Sequence, residues 1–263
     1  MLERLLALSF LVLLLAGCGA GHGTKVGGIR RIQQVSRMPQ VRDDPQVKKR
    51  MRYQEIMQLT GDRYGRGDLN AALGYAQSAQ KIQPDNPAAY TLQAIIQGRL
   101  GAAAAAGDLY RRAAELAPAQ GDVLNNYGAW LCANGYPAEA LVWFDRALND
   151  ANYASRADAL ANAGGCALDA GQNERADQNL RQALELSPNN AYALESMARS
   201  EYARGHYLEA RAFSQRRLAA APATASVLQL AAQIEERLGD RNAASQYQRR
   251  LREEFPAAPG SQG

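Results

Sequence analysis

Histidine and β-branched residues are scarce in this chain of 263 residues. His22 and His206 are the two histidines, so a histidine-rich metal site is excluded and a Ser-His-Asp catalytic triad is disfavoured. Valine, isoleucine and threonine together number 19, which disfavours a mostly β fold because these residues fill the pleated faces of sheets. The net charge of +4 is small for nucleic-acid binding, which requires a dense basic face.

Alanine and leucine dominate instead, with 51 and 31 residues, and both are strong helix formers. The sequence contains no carboxylate pair, nucleophile elbow, metal-ligand cluster or phosphate-binding loop. We therefore predict an all-α protein that is not an enzyme. It should need no cofactor or metal and bind no nucleic acid or small-molecule substrate.

The N-terminus has the pattern of an export signal. Arg4 precedes an apolar run of twelve residues, from Leu5 to Ala16. A helix of that length rises about 18 Å, short of the ~30 Å hydrocarbon core, so a signal peptide is favoured over a membrane span. The run ends in Leu15-Ala16-Gly17-Cys18, which resembles the bacterial lipobox. Residues 1–17 are then the signal peptide and Cys18 is lipidated; the alternative is a secreted protein with an incidental cysteine.

The residues that follow Cys18 bear on location. Gly19 rather than aspartate follows the cysteine, which by resemblance to other bacterial lipoproteins implies an outer-membrane anchor facing the periplasm. Residues 18–44 form the lipidated N-terminus and a flexible linker, with five glycines and five basic residues between positions 19 and 43. Two interpretations of that charge stay open: attraction to anionic lipid headgroups, or simple solvation.

The rest of the chain is an internal repeat. Six glycines recur at spacings of 34, 34, 36, 34 and 34 residues: Gly67, Gly101, Gly135, Gly171, Gly205 and Gly239. Five positions later each repeat has an alanine: Ala72, Ala106, Ala140, Ala176, Ala210 and Ala244. Seventeen positions after the glycine, five repeats have a proline and the third has Asn152: Pro84, Pro118, Pro188, Pro222 and Pro256.

A period of 34 residues is typical of tetratricopeptide repeats, which are stacked helix–turn–helix units. We predict an α-solenoid of six such repeats over residues 45–256, wound as a right-handed superhelix, with repeats starting near 53, 87, 121, 157, 191 and 225. Glycine permits the turn between helices A and B, and alanine lets the two helices approach closely. The first helix should run from about Pro45 to Tyr64, and residues 257–263 should be a disordered tail.

Large apolar residues should fill the shared core of the repeats. This set is Leu59, Leu92, Leu124, Tyr127, Leu131, Phe144, Leu160, Leu180, Leu194 and Leu228. The eighth position of each helix A is small, which also favours close packing: Thr60, Ala94, Gly128, Gly164, Ala198 and Ala232.

Two cysteines remain if Cys18 is acylated. Cys132 and Cys166 both fall late in a helix A, in repeats three and four, and neighbouring A helices lie side by side. Because the periplasm is oxidising, we predict a Cys132–Cys166 disulfide; two buried free thiols are the alternative.

Helix A residues line the concave side of such a solenoid. Aromatic, asparagine and arginine side chains there would suit capture of an extended peptide or a partner helix. The alternative is that each is only a solvated or packing residue. The candidate partner-binding residues are Met57, Tyr64, Ile95, Arg99, Asn125, Tyr192, Glu195, Arg199 and Tyr202.

One stretch carries a family resemblance. The run Asp122-Val123-Leu124-Asn125-Asn126-Tyr127-Gly128, followed by Leu131-Cys132, resembles the type IV pilus biogenesis/stability lipoproteins, the PilF/PilW type of pilotin. The similarity continues through the insertion near Tyr153 to Cys166. Two residues depart from the pattern: Asn152 replaces the repeat proline, and Ala76 replaces the usual aromatic of helix B in repeat one. The second change could widen a pocket or reflect repacking.

The resemblance implies an outer-membrane pilotin with six repeats and, in members that carry both cysteines, a disulfide. It also implies the partner, the type IV pilus secretin, whose outer-membrane localisation and multimerisation such proteins promote. The alternative function is a tetratricopeptide scaffold lipoprotein of another envelope assembly. A tight-adherence secretin, a barrel-insertion machine or a peptidoglycan hydrolase would then be the partner.

Overall fold

The computed structural model describes residues 44–256. The predicted signal peptide, the lipidation site at Cys18, the linker before Asp44 and the C-terminal tail 257–263 lie outside the described residues. Twelve α-helices account for the described part of the chain, and no strand occurs within it. They are α1 Pro45–Gly65, α2 Leu69–Ile82, α3 Pro87–Arg99, α4 Ala103–Leu116, α5 Gly121–Ala133, α6 Pro137–Leu148, α7 Arg156–Asp169, α8 Asn173–Leu186, α9 Ala191–Ala203, α10 Tyr207–Ala220, α11 Ala225–Leu238 and α12 Arg241–Glu254.

These helices form six hairpins, each an A helix packed against the B helix that follows it. Each B helix also packs against the next A helix, so every hairpin contacts its neighbours in order along the chain. The A helices are α1, α3, α5, α7, α9 and α11. The predicted all-α helical-repeat solenoid is therefore confirmed.

The first helix begins and ends close to its predicted limits, at Pro45 and Gly65. Asp44 is its N-cap, because the Asp44 carboxylate accepts a hydrogen bond of 2.9 Å from the backbone N–H of Gln46. Proline at the first helical position costs nothing there, since that N–H has no partner within the helix.

The glycine column makes the turns between helices A and B. All six glycines have positive φ, from +72° at Gly171 to +87° at Gly135, a left-handed conformation that residues with a Cβ avoid. The alanine column on the B helices is buried in every repeat. These two columns therefore fix the geometry of each hairpin, as the spacing predicts.

Close helix packing also explains the small eighth position of helix A. A Cβ added to Gly164 would lie 2.6 Å from Cγ of Leu180 and 3.2 Å from its backbone nitrogen. A Cβ added to Gly128 would lie 2.9 Å from Cε1 of Phe144. In repeats three and four, the large residue of helix B thus occupies the space that glycine leaves on helix A.

Eight of the ten predicted core residues are buried, and two are not. Leu59 is 37 % exposed, so its assignment to the core is wrong: it lies on α1, and no B helix precedes α1 among the described residues. Leu92 is half-buried and packs at the edge of the cluster of Ala72, Ala76 and Ile96. Ala76, which replaces the usual aromatic of helix B in repeat one, is fully buried in that cluster.

The two-residue insertion after α6 has a specific structural role. The Asp150 carboxylate accepts a hydrogen bond of 2.8 Å from the backbone N–H of Gly121 and one of 2.9 Å from that of Asn152. Tyr153 is buried against Gly121, where an added Cβ would lie 2.5 Å from Cγ of the ring. The insertion thereby anchors the start of α5, whose own N-cap residue, Gln120, makes no side-chain cap.

Repeats five and six bury charged residues at positions where repeat three has Leu131 or Ala147. Glu201 contacts Nδ1 of His206 at 2.8 Å. Glu235 accepts a hydrogen bond of 3.0 Å from Nε of Arg211, which joins α11 to α10. Arg217 donates to the backbone carbonyls of Ala221 and Pro222, each at 3.2 Å. Each buried charge is therefore partnered, as the cost of desolvation requires.

Candidate protein-binding groove

The predicted groove residues lie on four A helices: α1, α3, α5 and α9. They differ in accessibility. Arg99, Tyr192 and Arg199 are exposed; Met57, Tyr64, Ile95, Glu195 and Tyr202 are half-buried; Asn125 is buried.

The first two repeats bring Tyr64 and Arg99 together. The Arg99 guanidinium lies 4.9 Å from the centroid of the Tyr64 ring, a cation–π contact between α1 and α3. The inner side of Tyr64 packs against Ala72, Ala76 and Ile96. Met57 packs against the cluster of Tyr53, Ala79 and Ala89, which makes it mainly a packing residue.

Asn125 does not contribute an accessible amide. It is only 8 % exposed, and its Oδ1 accepts a hydrogen bond of 3.1 Å from Nδ2 of Asn162. Its expected place on the groove wall is therefore corrected: this position of α5 faces α7 and holds the two A helices together.

A second link between α5 and α7 is the Cys132–Cys166 disulfide, with a Cα–Cα separation of 5.9 Å. Cys166 is fully buried and Cys132 is half-buried, so the bridge lies at the edge of the core. Together with the Asn125–Asn162 bond, it joins repeats three and four on the A-helix side.

A small cavity of about 120 Å³, here called the central cleft, lies beside the disulfide. Small-molecule sites usually enclose ~300–1,000 Å³, so the central cleft suits one side chain of a peptide rather than a cofactor. Its lining residues are Ala129, Cys132, Ala133, Phe144, Asn162, Asp169 and Tyr192.

Tyr192 forms one wall of the central cleft. Its ring lies across Gly165, where an added Cβ would be 2.8 Å from Cε1 of the tyrosine. Although part of Tyr192 is exposed, burial of the rest of the side chain raises its pKa, and the nearby Asp169 carboxylate raises it further. The phenol is therefore neutral at physiological pH and can donate a hydrogen bond to a partner.

Asp169 is a residue of this wall that the sequence reasoning missed. Its carboxylate accepts a hydrogen bond of 2.8 Å from Arg199, which joins α7 to α9. The signal was available, because Asp169 occupies in repeat four the register position of Arg99 in repeat two. The pair places one charge of each sign beside the central cleft.

The remaining α9 candidates have partners within the chain. The Glu195 carboxylate lies 3.4 Å from Nε of Arg217 and accepts a hydrogen bond of 3.2 Å from Ser226. The rings of Tyr202 and Tyr207 are 5.5 Å apart. Tyr192 and Arg199 on α9 and Asp169 on α7 are therefore the accessible residues of this part of the groove. Glu195 serves mainly the packing of repeats five and six.

The described residues suggest neither a metal centre nor a membrane span. Between Asp44 and Pro256, no group of three or more His, Cys, Asp or Glu residues could hold a metal ion. None of the twelve helices has both the length and the apolar character needed to cross a bilayer.

Comparisons with known proteins agree with this architecture. The family model described as "Tetratricopeptide repeat" matches residues 157–190, which is repeat four. The crystal structure of PilW, a widely conserved type IV pilus biogenesis factor, is 28 % identical, with a TM-score of 0.71, and the match covers 79 % of this chain and 95 % of PilW. No curated protein sequence matches the chain.

Two more distant structures share the fold. PilF of Pseudomonas aeruginosa is 23 % identical, with a TM-score of 0.69 and coverage of 80 % of this chain and 95 % of PilF. YrrB, a TPR protein with an unusual peptide-binding site, is 17 % identical, with a TM-score of 0.50 and coverage of 66 % and 89 %. The described residues thus have the tetratricopeptide-repeat fold, which typically serves as a non-enzymatic scaffold for protein interactions.

Proposed function

We propose that this chain is an outer-membrane pilotin of type IV pilus biogenesis. Cys18 carries the lipid anchor, and the repeats face the periplasm. There they promote the localisation and multimerisation of the pilus secretin through protein contacts.

The observation that carries the proposal is the likeness to PilW, which extends over 95 % of that chain and 79 % of this one. The lipobox-like Leu15-Ala16-Gly17-Cys18 is an independent sequence feature that fits the same role. The run from Asp122 to Gly128 lies on α5, in the middle of the repeat array, where the disulfide and the central cleft are also found.

The two parts of the molecule have separate tasks in this proposal. Acyl chains at Cys18 hold the protein at the membrane, because each buried CH₂ contributes about 0.8 kcal/mol. Anchoring raises the effective concentration of the repeats near membrane-bound secretin subunits, so weak contacts suffice.

We place the contact on the A-helix side. Tyr192 and Asp169 line the central cleft, and Arg199 is bound to Asp169 beside it, so a neutral phenol, a carboxylate and a cation lie close together. Arg99 over Tyr64 adds an exposed guanidinium in repeats one and two. A segment of the secretin with one apolar side chain and flanking polar groups would match this wall.

The anchor is tested in cells with Cys18→Ser. The substituted protein should leave the outer-membrane fraction, and heat-stable secretin multimers and surface pili should fall sharply. Outer-membrane fractionation and immunoblotting of secretin multimers provide the measurement. Normal multimers and normal piliation in that strain would contradict the proposal.

The groove is tested with Tyr192→Ala combined with Arg199→Ala. Loss of a central contact pair should weaken secretin capture at least tenfold, equivalent to about 1.4 kcal/mol. The matched control is Val142→Ala combined with Leu208→Ala, which removes two exposed apolar residues from the B helices α6 and α10. Equal loss in both variants, or capture of a peptidoglycan hydrolase instead of secretin, would contradict the assignment.

A further inference from the structure

Helix α1 begins well before the repeat frame. The repeat register starts at Tyr53, whereas the helix starts at Pro45, so two extra turns precede the first repeat. Every residue from Asp44 to Arg52 is exposed. These two turns, residues 45–52, are here called the N-terminal extension.

The N-terminal extension is strongly basic. It carries Lys48, Lys49, Arg50 and Arg52 and no acidic residue. The helix at the other end of the array, α12, has four arginines but also two glutamates, and Arg250 is bound to Glu254 at 2.8 Å. Positive charge is therefore concentrated at the end of the repeat array that is nearer in sequence to Cys18.

The N-terminal extension also exposes apolar side chains. Val47 is 36 % exposed and Met51 is 64 % exposed, and they lie one helical turn apart on the same face. The next position of that row is Glu55, which ends the apolar face after two turns. So short a face cannot supply the i, i+3, i+4 and i+7 anchors of a partner helix. It is long enough for shallow insertion at a lipid interface.

We propose that the N-terminal extension binds the surface of an anionic lipid bilayer. Lysine and arginine next to such a surface each contribute about fivefold in affinity, and the inserted Met51 and Val47 add apolar burial. Five further basic residues between positions 19 and 43 have the same sign, so they extend the same attraction. A second copy of the chain is disfavoured as the occupant, because two such extensions repel each other.

This contact goes beyond the proposed pilotin role, because it sets how the repeats are oriented toward the membrane. It does not require the acyl chains. The test therefore uses unacylated protein, residues 18–263 with Cys18→Ser, which contains every described residue. Failure of this test would leave the secretin contact untouched, and failure of the secretin test would leave this one untouched.

The experiment measures binding to vesicles by sedimentation, in low salt. The protein with no substitution besides Cys18→Ser should bind vesicles of phosphatidylglycerol and phosphatidylcholine. It should not bind vesicles of phosphatidylcholine alone. Lys49→Gln, Arg50→Gln and Arg52→Gln combined should weaken binding about a hundredfold, and Met51→Gln about tenfold. Raising the salt concentration to 0.5 M should largely abolish binding.

Matched controls lie on other helices. Arg241→Gln, Arg249→Gln and Arg252→Gln remove three exposed charges from α12, and Leu208→Gln removes an exposed leucine from α10. These controls should change binding less than twofold, and circular dichroism should show every variant folded. Equal binding to neutral and anionic vesicles would overturn the proposal, and so would unchanged vesicle binding by the triple variant. Binding of an acidic protein without any binding of anionic vesicles would also overturn it.

Discussion

At the scale of single residues, glycines inside the helices differ in how closely their surroundings pack against them. Gly164 leaves room for Leu180 at the crossing of α7 and α8, whereas Gly74, inside α2, has nothing within 4 Å of an added Cβ. Glycine inside a helix costs roughly 0.5–1 kcal/mol relative to alanine unless packing requires it. The packing around the glycine, and not its place in a helix alone, therefore decides whether a substitution by alanine stabilises or destabilises the protein.

We expect Gly164→Ala to destabilise the protein by about 1–3 kcal/mol, because Leu180 and its backbone cannot move away without cost. Gly74→Ala is the matched control and should stabilise it by about 0.5–1 kcal/mol. Urea denaturation followed by circular dichroism measures both changes. A stabilising Gly164→Ala would show that the crossing is looser than the structure indicates.

Asp150 provides a pH-dependent prediction. Hydrogen bonds from the backbone N–H groups of Gly121 and Asn152 hold the pKa of Asp150 below its ordinary value of 3.8. Its contribution to stability is therefore present above about pH 3.8 and is lost as the pH falls through the lower, folded-state pKa.

Asp150→Ala should accordingly lower the melting temperature at pH 7, and the difference from the unsubstituted protein should shrink at low pH. Asp85→Ala, in the exposed loop after α2, serves as the control and should change little. Melting curves between pH 2.5 and 7 are the measurement. A deficit that persists undiminished at pH 2.5 would contradict the assigned role of the carboxylate.

At the scale of helices, the disulfide joins α5 to α7 across a separation of 34 residues. Closing a loop of that length stabilises a fold by about 3–4 kcal/mol, mainly by restricting the unfolded chain. Cys132→Ser should thus lower the free energy of unfolding by about that amount. Treatment with dithiothreitol should do the same to the unsubstituted protein and nothing further to the variant.

Titration of thiols in denatured, unreduced protein tests directly whether Cys132 and Cys166 form a disulfide. Residues 18–263 with Cys18→Ser should show no free thiol before reduction and two after it. Two reactive thiols before reduction would mean that Cys132 and Cys166 remain reduced.

The helical architecture was predictable because turns and crossings depend on local residue types. The glycine and alanine columns specify each hairpin without reference to the rest of the chain. Leu59 was mispredicted because its burial depends on a preceding B helix, and none precedes α1 in the part of the chain that the structure describes. Periodicity likewise gave no sign that Glu201 and Glu235 would be buried.

The groove was less predictable than the hairpins, for the same reason. A register position indicates which way a residue points but not which partner it meets. Asn125 meets Asn162 and is covered, whereas Tyr192 meets Gly165, a residue without a side chain, and borders a cleft. Such outcomes depend on residues one repeat away.

At the scale of the whole molecule, stability is unevenly distributed along the array. The largest core cluster runs from Tyr90 on α3 to Ala176 on α8 and is centred on Leu124, Tyr127 and Phe144. The terminal helix α12 buries a single residue, Ala244. Because each repeat contacts only its neighbours, the ends should open before the middle.

Hydrogen exchange should therefore be slowest in α5, α6 and α7, and fastest in the first two turns of α1 and in α12. Mass spectrometry of pepsin fragments resolves these helices. Reduction of the disulfide should speed exchange in α5 and α7 more than in α1. Uniform protection across all six repeats, or a maximum at either end, would contradict this distribution.

The disulfide sits between the third and fourth repeats, so it divides the array into equal halves. A covalent bond there keeps α5 and α7 from separating, whereas no disulfide joins the other neighbouring A helices of the described repeats. A ligand too wide for the groove would therefore have to displace the outer repeats. We expect the free-energy cost of that displacement to be lowest at the two ends of the array and highest at its middle. A ligand bound at repeats three and four would meet a nearly rigid surface, and a ligand bound at the end repeats would meet a more flexible one.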